Sequence, residues 1–449
     1  MKYKIINPYE SVTKLITKED NHYKTNLHTH STYSDAEVDF NEIIKEYYKH
    51  GFDVLAMTDH GVIGKKWTDA PTEIPLYQHQ YILGHTKTPL TAEENKEITE
   101  GTRPAPEWSG RKYGRGMNCL TSGIELNMVT LTKCHVNGFF CDFGQNNWGF
   151  ENGYVYAVKK VDEAGGISFI NHPGGWLEST HNVENAYKYE NVRYFGEIFN
   201  KYESCVGTEV FNSRGGDTKN DRIFWDEILK YVIPHGKRNV FGFANSDAHF
   251  FKDVNTSFMD FILPEYSEDN MKFAMTNGCF FAISRYAKNE LGEDFEATTT
   301  AYPQVFALEV DEENGVISVK GKNTDRIEWI ADGKIIKTSD KKTKNGYVNS
   351  EIKLEEYEND ISCYIRFQLI GEGGVTLSQP IILDDGNIER FIKADTRSDK
   401  KKLVDNALFN LKSTRVAVIA DEIYKKDFLT LNGLSHSAQS CKDTFVFDG

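Results

Sequence analysis

The chain of 449 residues lacks any apolar run that could cross a bilayer, and it is short of positive charge. No stretch approaches the roughly eighteen apolar residues that a membrane-spanning helix needs, and the N-terminal residues lack the apolar segment of a signal peptide. The formal net charge of −15 disfavours nucleic acid and anionic membranes as partners, because most of the surface would repel them. We therefore expect a cytoplasmic protein with no membrane partner; the oligomeric state stays unknown.

Cysteine is also sparse in this chain. The seven cysteines are scattered, odd in number, and include no Cys-x-x-Cys pair, so we expect reduced structural thiols. The length, with 39% hydrophobic and 13% aromatic residues, is ordinary for a packed globular protein of two or more domains.

Residues from about 24 to 285 alternate short apolar runs with helical patterns. That order is typical of βα units around a largely parallel sheet, and seven strands would suit a barrel. The strand candidates are 27–30, 54–58, 120–126, 134–140, 167–170, 208–211 and 240–244. We therefore predict an α/β barrel domain over residues 1–295.

Residues 62–118 interrupt this rhythm with five prolines and a basic cluster that includes Arg103, Arg111 and Arg115. Long insertions in compact domains are often lids or binding loops, so we expect this one over the mouth of the barrel. A solvent-exposed surface loop is an equally good interpretation of this segment.

A different pattern follows a polar linker at about 290–300. Brief alternating strands, with Asp332-Gly333 as a two-residue hairpin signal, predict a small all-β sandwich over residues 301–386. Residues 387–449 form a C-terminal extension of unknown role.

Imidazoles and carboxylates recur where the apolar runs stop. Barrel enzymes build their sites at the carboxyl ends of strands, and side chains two apart on a strand share a face. A lone His-x-His pair is as well explained by a buried structural histidine, and only the whole set favours a metal. Burying Glu125 on an apolar strand would be costly unless a metal neutralised it. The candidates are His28, His30, Asp35, His60, Glu125, His135, His172, Asp247 and His249.

Four further polar residues lie beside these candidates. Asp59 would orient a neighbouring ligand, although a turn or helix-cap role is nearly as plausible, and Glu209 could hold a histidine ligand through its other nitrogen. Asn212 ends the same run as Glu209. The planar guanidinium group of Arg214 could donate two parallel hydrogen bonds to phosphate oxygens. The alternative for Arg214 is a surface salt bridge.

The ordered set of motifs resembles the PHP family, named for polymerase and histidinol phosphatase. The motifs are His28-x-His30, Ser-Asp35, Thr-Asp-His60-Gly, Gly-Ile-Glu125, His135, Asn-His172-Pro-Gly, Glu-Val-x-Asn212 and Ser-Asp247-Ala-His249. The resemblance implies a distorted (β/α)7 barrel with up to three divalent metal ions at its carboxyl-end face. It implies a first metal on His28, His30, Glu125 and Asp247, a second on Glu125, His135 and His172, and a third on Asp35, His60 and His249.

These observations predict a metal-dependent phosphoesterase that cleaves a small-molecule phosphate ester with a metal-bridged hydroxide in a trinuclear site. Glu125, Asp247, His249 and Arg214 are the expected catalytic residues, with two to three Zn, Mn or Fe ions, and zinc or manganese preferred. The alternatives are a hydrolase of another ester or an amide at the same metal site, or a metal-stabilised binding or scaffold protein. Proofreading of DNA is disfavoured by the acidic charge.

Overall fold

The computed structural model describes residues 3–73, 86–101, 103–106, 109–111, 114–127, 134–146, 153–216 and 218–411. It shows a mixed α/β protein whose strands lie in sheets of eleven, five and three strands. Within the described ranges, no helix is both long and apolar enough to cross a membrane. The buried apolar side chains form a continuous core from Tyr3 to Ile388, with Phe409 added from the last helix.

Nineteen strands are present in the described part of the chain. They are β1 Lys4–Ile6, β2 His22–Asn26, β3 Val54–Leu55, β4 Asn118–Cys119, β5 Ile124–Asn127, β6 His135–Phe139, β7 Ile167–Ile170, β8 Cys205–Asn212, β9 Phe241–Asn245, β10 Ser257–Ile262, β11 Phe280–Ser284, β12 Gln304–Asp311, β13 Val316–Lys322, β14 Arg326–Ala331, β15 Lys334–Ser339, β16 Val348–Lys353, β17 Tyr364–Gly371, β18 Gly374–Leu377 and β19 Ile381–Asp384.

Eleven α-helices accompany these strands in the same described ranges. They are α1 Thr13–Ile16, α2 Phe40–Lys49, α3 Ala92–Glu100, α4 Tyr154–Glu163, α5 Pro173–Leu177, α6 Glu184–Tyr187, α7 Tyr189–Lys201, α8 Asp221–Gly236, α9 Glu268–Asn277, α10 Lys288–Leu291 and α11 Asp399–Leu411. Short 3-10 turns lie at Glu10–Val12, Glu19–Asn21, Phe251–Asp253, Leu354–Tyr357 and Ile388–Phe391.

The helix α2 shows how the sequence pattern produces the fold. Its buried residues Phe40, Ile43, Ile44 and Tyr47 recur at helical spacing, so one face packs against the core. The helix ends just before Gly51, whose φ of +78° is a backbone conformation that glycine adopts at little cost.

The strands that position the site belong to two of the sheets. One has the order β5-β6-β7-β8-β9, and the other contains β2-β3-β4 in parallel. Single parallel bridges link the two sheets, one from Thr29 after β2 to Ala248 after β9 and one from His60 after β3 to Glu125 within β5. No closed barrel is found among the described strands, because these contacts are isolated bridges instead of continuous ladders. The predicted (β/α)7 barrel is thus not confirmed.

The predicted strand at 27–30 is displaced in the structure. β2 ends at Asn26, and the following residues are held by separate hydrogen bonds, including His30 N to the carbonyl of Ala248. β6, β7, β8 and β9 overlap their predicted ranges, whereas β3 covers only the first two residues of its range.

The basic part of the insertion lies away from the predicted position. Arg103, Arg111 and Arg115 all contact Asp53, which immediately precedes β3, whereas His60 follows the carboxyl end of the same strand. The expectation that the insertion covers the mouth of the site is therefore wrong for these three arginines. Residues 74–85 of the insertion lie outside the described residues.

The strands after residue 301 continue the first part of the fold. β12, β13 and β16 form the three-stranded sheet, while β18 pairs with β11 and β1 pairs with β19. The predicted hairpin at Asp332-Gly333 is confirmed, because β14 and β15 pair across it and both residues have positive φ. A buried ion pair, Arg366 with Asp226 of α8, joins β17 to the preceding part.

Candidate metal centre

All nine predicted ligands converge on one region of the structure. Each belongs to a group of side chains whose ligand atoms lie within 4.8 Å of one another. The four groups are His30, Asp35, His60 and His249; His28, His172 and Glu209; His28, His30 and Asp247; and His60, Glu125 and His135. Most of these residues come from the carboxyl ends of strands or the segments that follow, so chain topology brings remote motifs together.

Glu125 on β5 is fully buried at the middle of this region. Its Oε1 lies 3.2 Å from His28 Nε2 and 3.1 Å from His135 Nδ1. Its Oε2 lies 3.1 Å from His30 Nε2 and 2.8 Å from His60 Nδ1. One carboxylate thus faces four imidazoles, the arrangement expected of a carboxylate that bridges metal ions.

Asp247 provides a second shared carboxylate. Its Oδ1 lies 3.2 Å from His28 Nε2 and 3.1 Å from His30 Nε2, and its Oδ2 lies 3.8 Å from His172 Nε2. The φ of Asp247 is +44° and that of His172 is +22°, so both side chains leave the backbone at unfavourable conformations. Strain of this kind concentrates at functional sites, where the surrounding structure enforces it.

Asp35 lies close to two of the candidate histidines, His60 and His249. Its Oδ2 lies 3.4 Å from His60 Nε2, and its Oδ1 lies 3.3 Å from His249 Nε2. The side chains of Asp35 and His249 are 28% and 29% exposed, whereas that of His30 is fully buried. The centre therefore opens to solvent on the side of Asp35 and His249.

Several inward-facing atoms lack hydrogen bonds. His28 Nε2, His30 Nε2, Glu125 Oε2 and Asp247 Oδ1 are buried without a hydrogen-bond partner among the described residues. Buried polar atoms are rarely left so, because the cost is about 1–3 kcal/mol each. Two ligand atoms that are each about 2.1 Å from one ion lie roughly 3.0–3.4 Å apart. The observed separations match that spacing, so the donor set fits divalent metal ions.

The charges of the centre support the same interpretation. Burial raises the pKa of Glu125, but His28, His135 and His60 together hold it well below its usual range. Burial likewise raises the pKa of Asp35, and the charge and hydrogen bond of His60 outweigh it. Both carboxyl groups are therefore ionised at neutral pH, the form that binds metal.

His249 is the most exposed histidine of the centre. Burial lowers its pKa, but the hydrogen bond that it donates to Asp35 and the charge of Asp247 raise it to about 9. In the absence of a metal this imidazole is protonated at neutral pH, so metal binding there must displace a proton.

Glu209 accepts hydrogen bonds from two of the candidate ligand residues, His28 and His172. Its Oε1 accepts from His28 Nδ1 at 2.9 Å, which leaves Nε2 of that imidazole as the atom that faces Glu125 and Asp247. Its Oε2 accepts from the backbone N–H of His172 at 3.0 Å and from Asn212 Nδ2 at 2.9 Å. The structure thus places Glu209 and Asn212 beside the ligands, as the sequence pattern indicated.

Asp59 fixes the loop that carries the first ligands. It accepts from Ser31 N and Ser31 Oγ at 2.7 and 2.8 Å, and from Ser34 Oγ at 2.7 Å. Ser34 Oγ in turn lies 3.2 Å from His30 Nδ1. Asp59 is therefore linked to His30 through a serine that the sequence pattern alone did not identify.

Asn171 is another residue that sequence reasoning missed. Its Nδ2 donates to Glu125 Oε1 at 2.7 Å and to Asn137 Oδ1 at 2.9 Å. The available signal was its position directly before His172, at the end of the apolar run of β7.

Arg214 lies apart from the ligand cluster. Its guanidinium group donates to the carbonyl of Lys252 at 2.7 Å and stacks near the ring of Tyr286. Its side chain is 46% exposed, so the described contacts hold it at the surface.

Comparison with known proteins finds a family model that matches the first part of the chain. Residues 26–134 match the family model described as the PHP domain. The match includes His28, His30, Asp35, His60 and Glu125, and it confirms the resemblance to the PHP family drawn from the motifs. The family is one of metal-dependent phosphoesterases, which agrees with the donor set. A search of curated proteins finds no match.

Two solved structures are similar to the chain at low identity. One is a two-domain protein from Bacteroides vulgatus containing a predicted PHP-like metal-dependent phosphoesterase, with 15% identity, coverage of 81% of this chain and 88% of that chain, and a TM-score of 0.38. The other is a lesion-specific endonuclease from Pyrococcus furiosus, with 10% identity, coverage of 94% and 88%, and a TM-score of 0.32.

Proposed function

We propose that this protein hydrolyses a small-molecule phosphate ester with the help of two or three divalent metal ions. The observation that carries the proposal is the buried centre in which nine histidine, aspartate and glutamate side chains present ligand atoms to one another. Bound cations would compensate the nitrogen and oxygen atoms at its middle that lack hydrogen-bond partners among the described residues, and the match to the PHP family model supports the reaction class.

We assign the ligands in three sets. His28, His30, Glu125 and Asp247 would hold the first ion, Glu125, His135 and His172 the second, and Asp35, His60 and His249 the third. His28, His30 and Asp247 form one group of close ligand atoms, and Asp35, His60 and His249 belong to another, which supports the first and third sets. His172 Nε2 lies 3.6 Å from Glu125 Oε1, which supports the second. His60 is close to both Asp35 and Glu125 and would lie between two ions. Mixed imidazole and carboxylate donors suit Zn, Mn or Fe.

Divalent ions bound by this set would acidify a water molecule and neutralise the charge that develops on phosphoryl oxygens. The protein residues have separate tasks. Glu125 would share its carboxylate between the first and second sites, Asp247 would complete the first, and Glu209 would keep His28 in the tautomer that faces inward. A substrate would enter beside Asp35 and His249, because that side of the centre is exposed.

Arg214 would bind phosphoryl oxygens once a substrate is present. Its side chain is half exposed and its described contacts are a backbone carbonyl, a distant carboxylate and a ring. Such contacts exchange readily with solvent, and a guanidinium group pairs well with a phosphate through two parallel hydrogen bonds.

We also propose that residues 1–295 form a strongly distorted (β/α)7 barrel and that residues 301–386 form a small all-β sandwich whose strands extend a sheet of the first part. The two parallel bridges that link β2 to β9 and β3 to β5 support a ring of seven strands. The ligands follow the ends of these strands, as barrel sites do.

Metal analysis combined with a substrate panel tests the function. Protein purified without chelator should contain two to three transition-metal ions and release phosphate from p-nitrophenyl phosphate or nucleoside monophosphates. The panel includes bis-p-nitrophenyl phosphate, a carboxylic ester and an amide. Amide or carboxylic ester turnover without phosphate release would reject phosphate-ester hydrolysis. Bound metal with no turnover of any substrate would favour a binding protein.

A matched pair of variants connects the activity to the centre. Glu125→Gln keeps the shape of the side chain but removes the shared charge, so metal content and activity should both fall. Glu163→Gln removes a carboxylate of α4 that pairs with Lys160 at the surface, and it should leave both unchanged. Equal activity in the two variants would contradict the assignment.

A further inference from the structure

A second polar cavity lies at the other end of the strands from the metal centre. It has a volume of about 220 Å³, and its wall includes Lys24, His50, Asp53, Arg111, Tyr302 and Gln304. Lys24 is in the middle of β2 and Asp53 precedes β3, whereas the metal ligands follow these strands. The cavity is therefore separate from the centre described above.

In the wall of this cavity, one carboxylate forms ion pairs with several cationic side chains. Asp53 Oδ1 lies 2.9 Å from Arg111 NH1, 3.1 Å from Arg115 Nε and 3.4 Å from Arg103 NH2. Its Oδ2 is occupied by the backbone N–H of Lys24 at 2.9 Å. Three guanidinium groups thus share a single buried negative charge.

Lys24 adds a fourth buried cation without a carboxylate of its own. Its Nζ donates to the carbonyl of His50 at 2.9 Å and to Asn255 Oδ1 at 2.6 Å. The ammonium group also lies 4.4 and 4.5 Å from the ring centres of Phe52 and Phe258. Burial lowers the pKa of Lys24, and the charges of Arg285, Arg103 and Arg111 act in the same direction, whereas the charge of Asp53 raises it.

The neighbouring acidic side chains already have partners. Glu19 Oε1 lies 2.8 Å from Lys322 Nζ, and Asp260 Oδ2 lies 2.7 Å from His22 Nδ1. Among the described residues around the cavity, positive charge therefore exceeds negative charge. Burying such an excess without a counter-ion is costly.

Gln304 indicates what a ligand must also provide. Its side chain is 3% exposed, and its Oε1 has no hydrogen-bond partner among the described residues. A ligand that fits must accept hydrogen bonds from cations and donate one to this oxygen. A monohydrogen phosphate group does both, because it carries negative oxygens and one hydroxyl.

We propose that this cavity binds a phosphate group, as inorganic phosphate or as part of a small phosphorylated molecule, at a site distinct from the metal centre. Arg111 and Lys24 hold its oxygens, and Gln304 accepts its hydroxyl hydrogen. The volume of about 220 Å³ leaves room for more than the phosphate itself.

Calorimetric titration of the full chain with sodium phosphate tests the site. The titration is made on protein as purified and again after removal of metal by a chelator, so that binding at the metal centre is recognised by its loss. A binding event should survive chelation. Lys24→Met should weaken that event about tenfold or more, as expected for loss of one charge-assisted hydrogen bond. Phosphate binding that vanishes with the metal would overturn the proposal.

Lys272→Met is the matched control for Lys24→Met. Lys272 Nζ also contacts a carbonyl, that of Gly165, and an aromatic ring, that of Phe140, but it lies away from the cavity. Its replacement should leave phosphate affinity unchanged. Equal weakening by both variants would mean a general effect of charge and would reject the site.

Gln304→Glu gives a second test with opposite expected signs. A carboxylate at this position supplies the missing negative charge, so the variant should melt at a higher temperature without phosphate and lose phosphate binding. If the cavity charge were already balanced, the new carboxylate would be buried without compensation and the melting temperature would fall. That fall would overturn the proposal.

Discussion

Replacing Glu209 by glutamine should weaken metal binding although Glu209 lies behind the ligands. Its two oxygens accept from four donors: His28 Nδ1 and Asn245 Nδ2 at Oε1, and His172 N and Asn212 Nδ2 at Oε2. A glutamine amide must point its NH2 group at one of these pairs. In either orientation, one pair of donors then faces the NH2 group instead of an acceptor. The substitution therefore removes two hydrogen bonds as well as the negative charge.

The effect on metal affinity follows from the tautomer of His28. When Glu209 no longer accepts from Nδ1, the proton is free to move to Nε2, and a protonated Nε2 does not bind metal. Loss of a hydrogen-bond partner behind a histidine ligand costs about 10–100-fold in metal affinity, which is roughly 1.4–2.8 kcal/mol. We expect Glu209→Gln to fall within this range.

Competition with a chromophoric chelator measures the change. Glu209→Gln is compared with wild type and with Glu163→Gln, and thermal unfolding of the metal-free proteins establishes that each is folded. An affinity for metal equal to that of wild type would refute the reasoning, because it would mean that Glu209 does not determine which nitrogen of His28 faces the centre.

Three other predictions concern stability. Asp226→Ala leaves the buried guanidinium group of Arg366 without its carboxylate partner, so the free energy of unfolding measured in urea should fall by about 3–5 kcal/mol. A decrease below about 1 kcal/mol would contradict this role. Burial lowers the pKa of His22 but Asp260 raises it above its usual value, so the pair stabilises fully below about pH 6.5. That contribution is lost as pH rises through the raised pKa. The difference in free energy of unfolding between wild type and His22→Gln should therefore decrease over this pH range. A difference that stays constant with pH would contradict the prediction. Chelation should lower the melting temperature, reversibly on metal return, and an unchanged value would argue against bound metal.

The convergence of the nine candidate ligands was predictable because their signals are local. Most are histidines or carboxylates near the ends of apolar runs, and strand ends on one side of a sheet meet in space. Ser34 and Asn171 escaped prediction because serine and asparagine occur in most turns, and only three-dimensional contacts distinguish these two. Strand bounds near His28 were misplaced because an extended segment without a ladder has the same sequence pattern as a strand.

The position of the basic insertion could not be read from its sequence. Arg103, Arg111 and Arg115 are fifty or more residues from Asp53, and nothing in their spacing shows which end of a strand they approach. The lack of a closed barrel among the described strands was equally hidden, because apolar periodicity predicts strands but not their neighbours, and only two single bridges link the two sheets there.

The pairing of β18 with β11 makes the parts of the chain before and after residue 301 mutually dependent. A shortened chain ending near residue 295 would expose the hydrogen-bonding edge of β11, whose residues are all buried in the intact protein. Open apolar edges of this kind recruit other strands, so such a fragment should aggregate even with every metal ligand retained. The β-rich region thus covers a sheet edge of the part that carries the candidate metal centre.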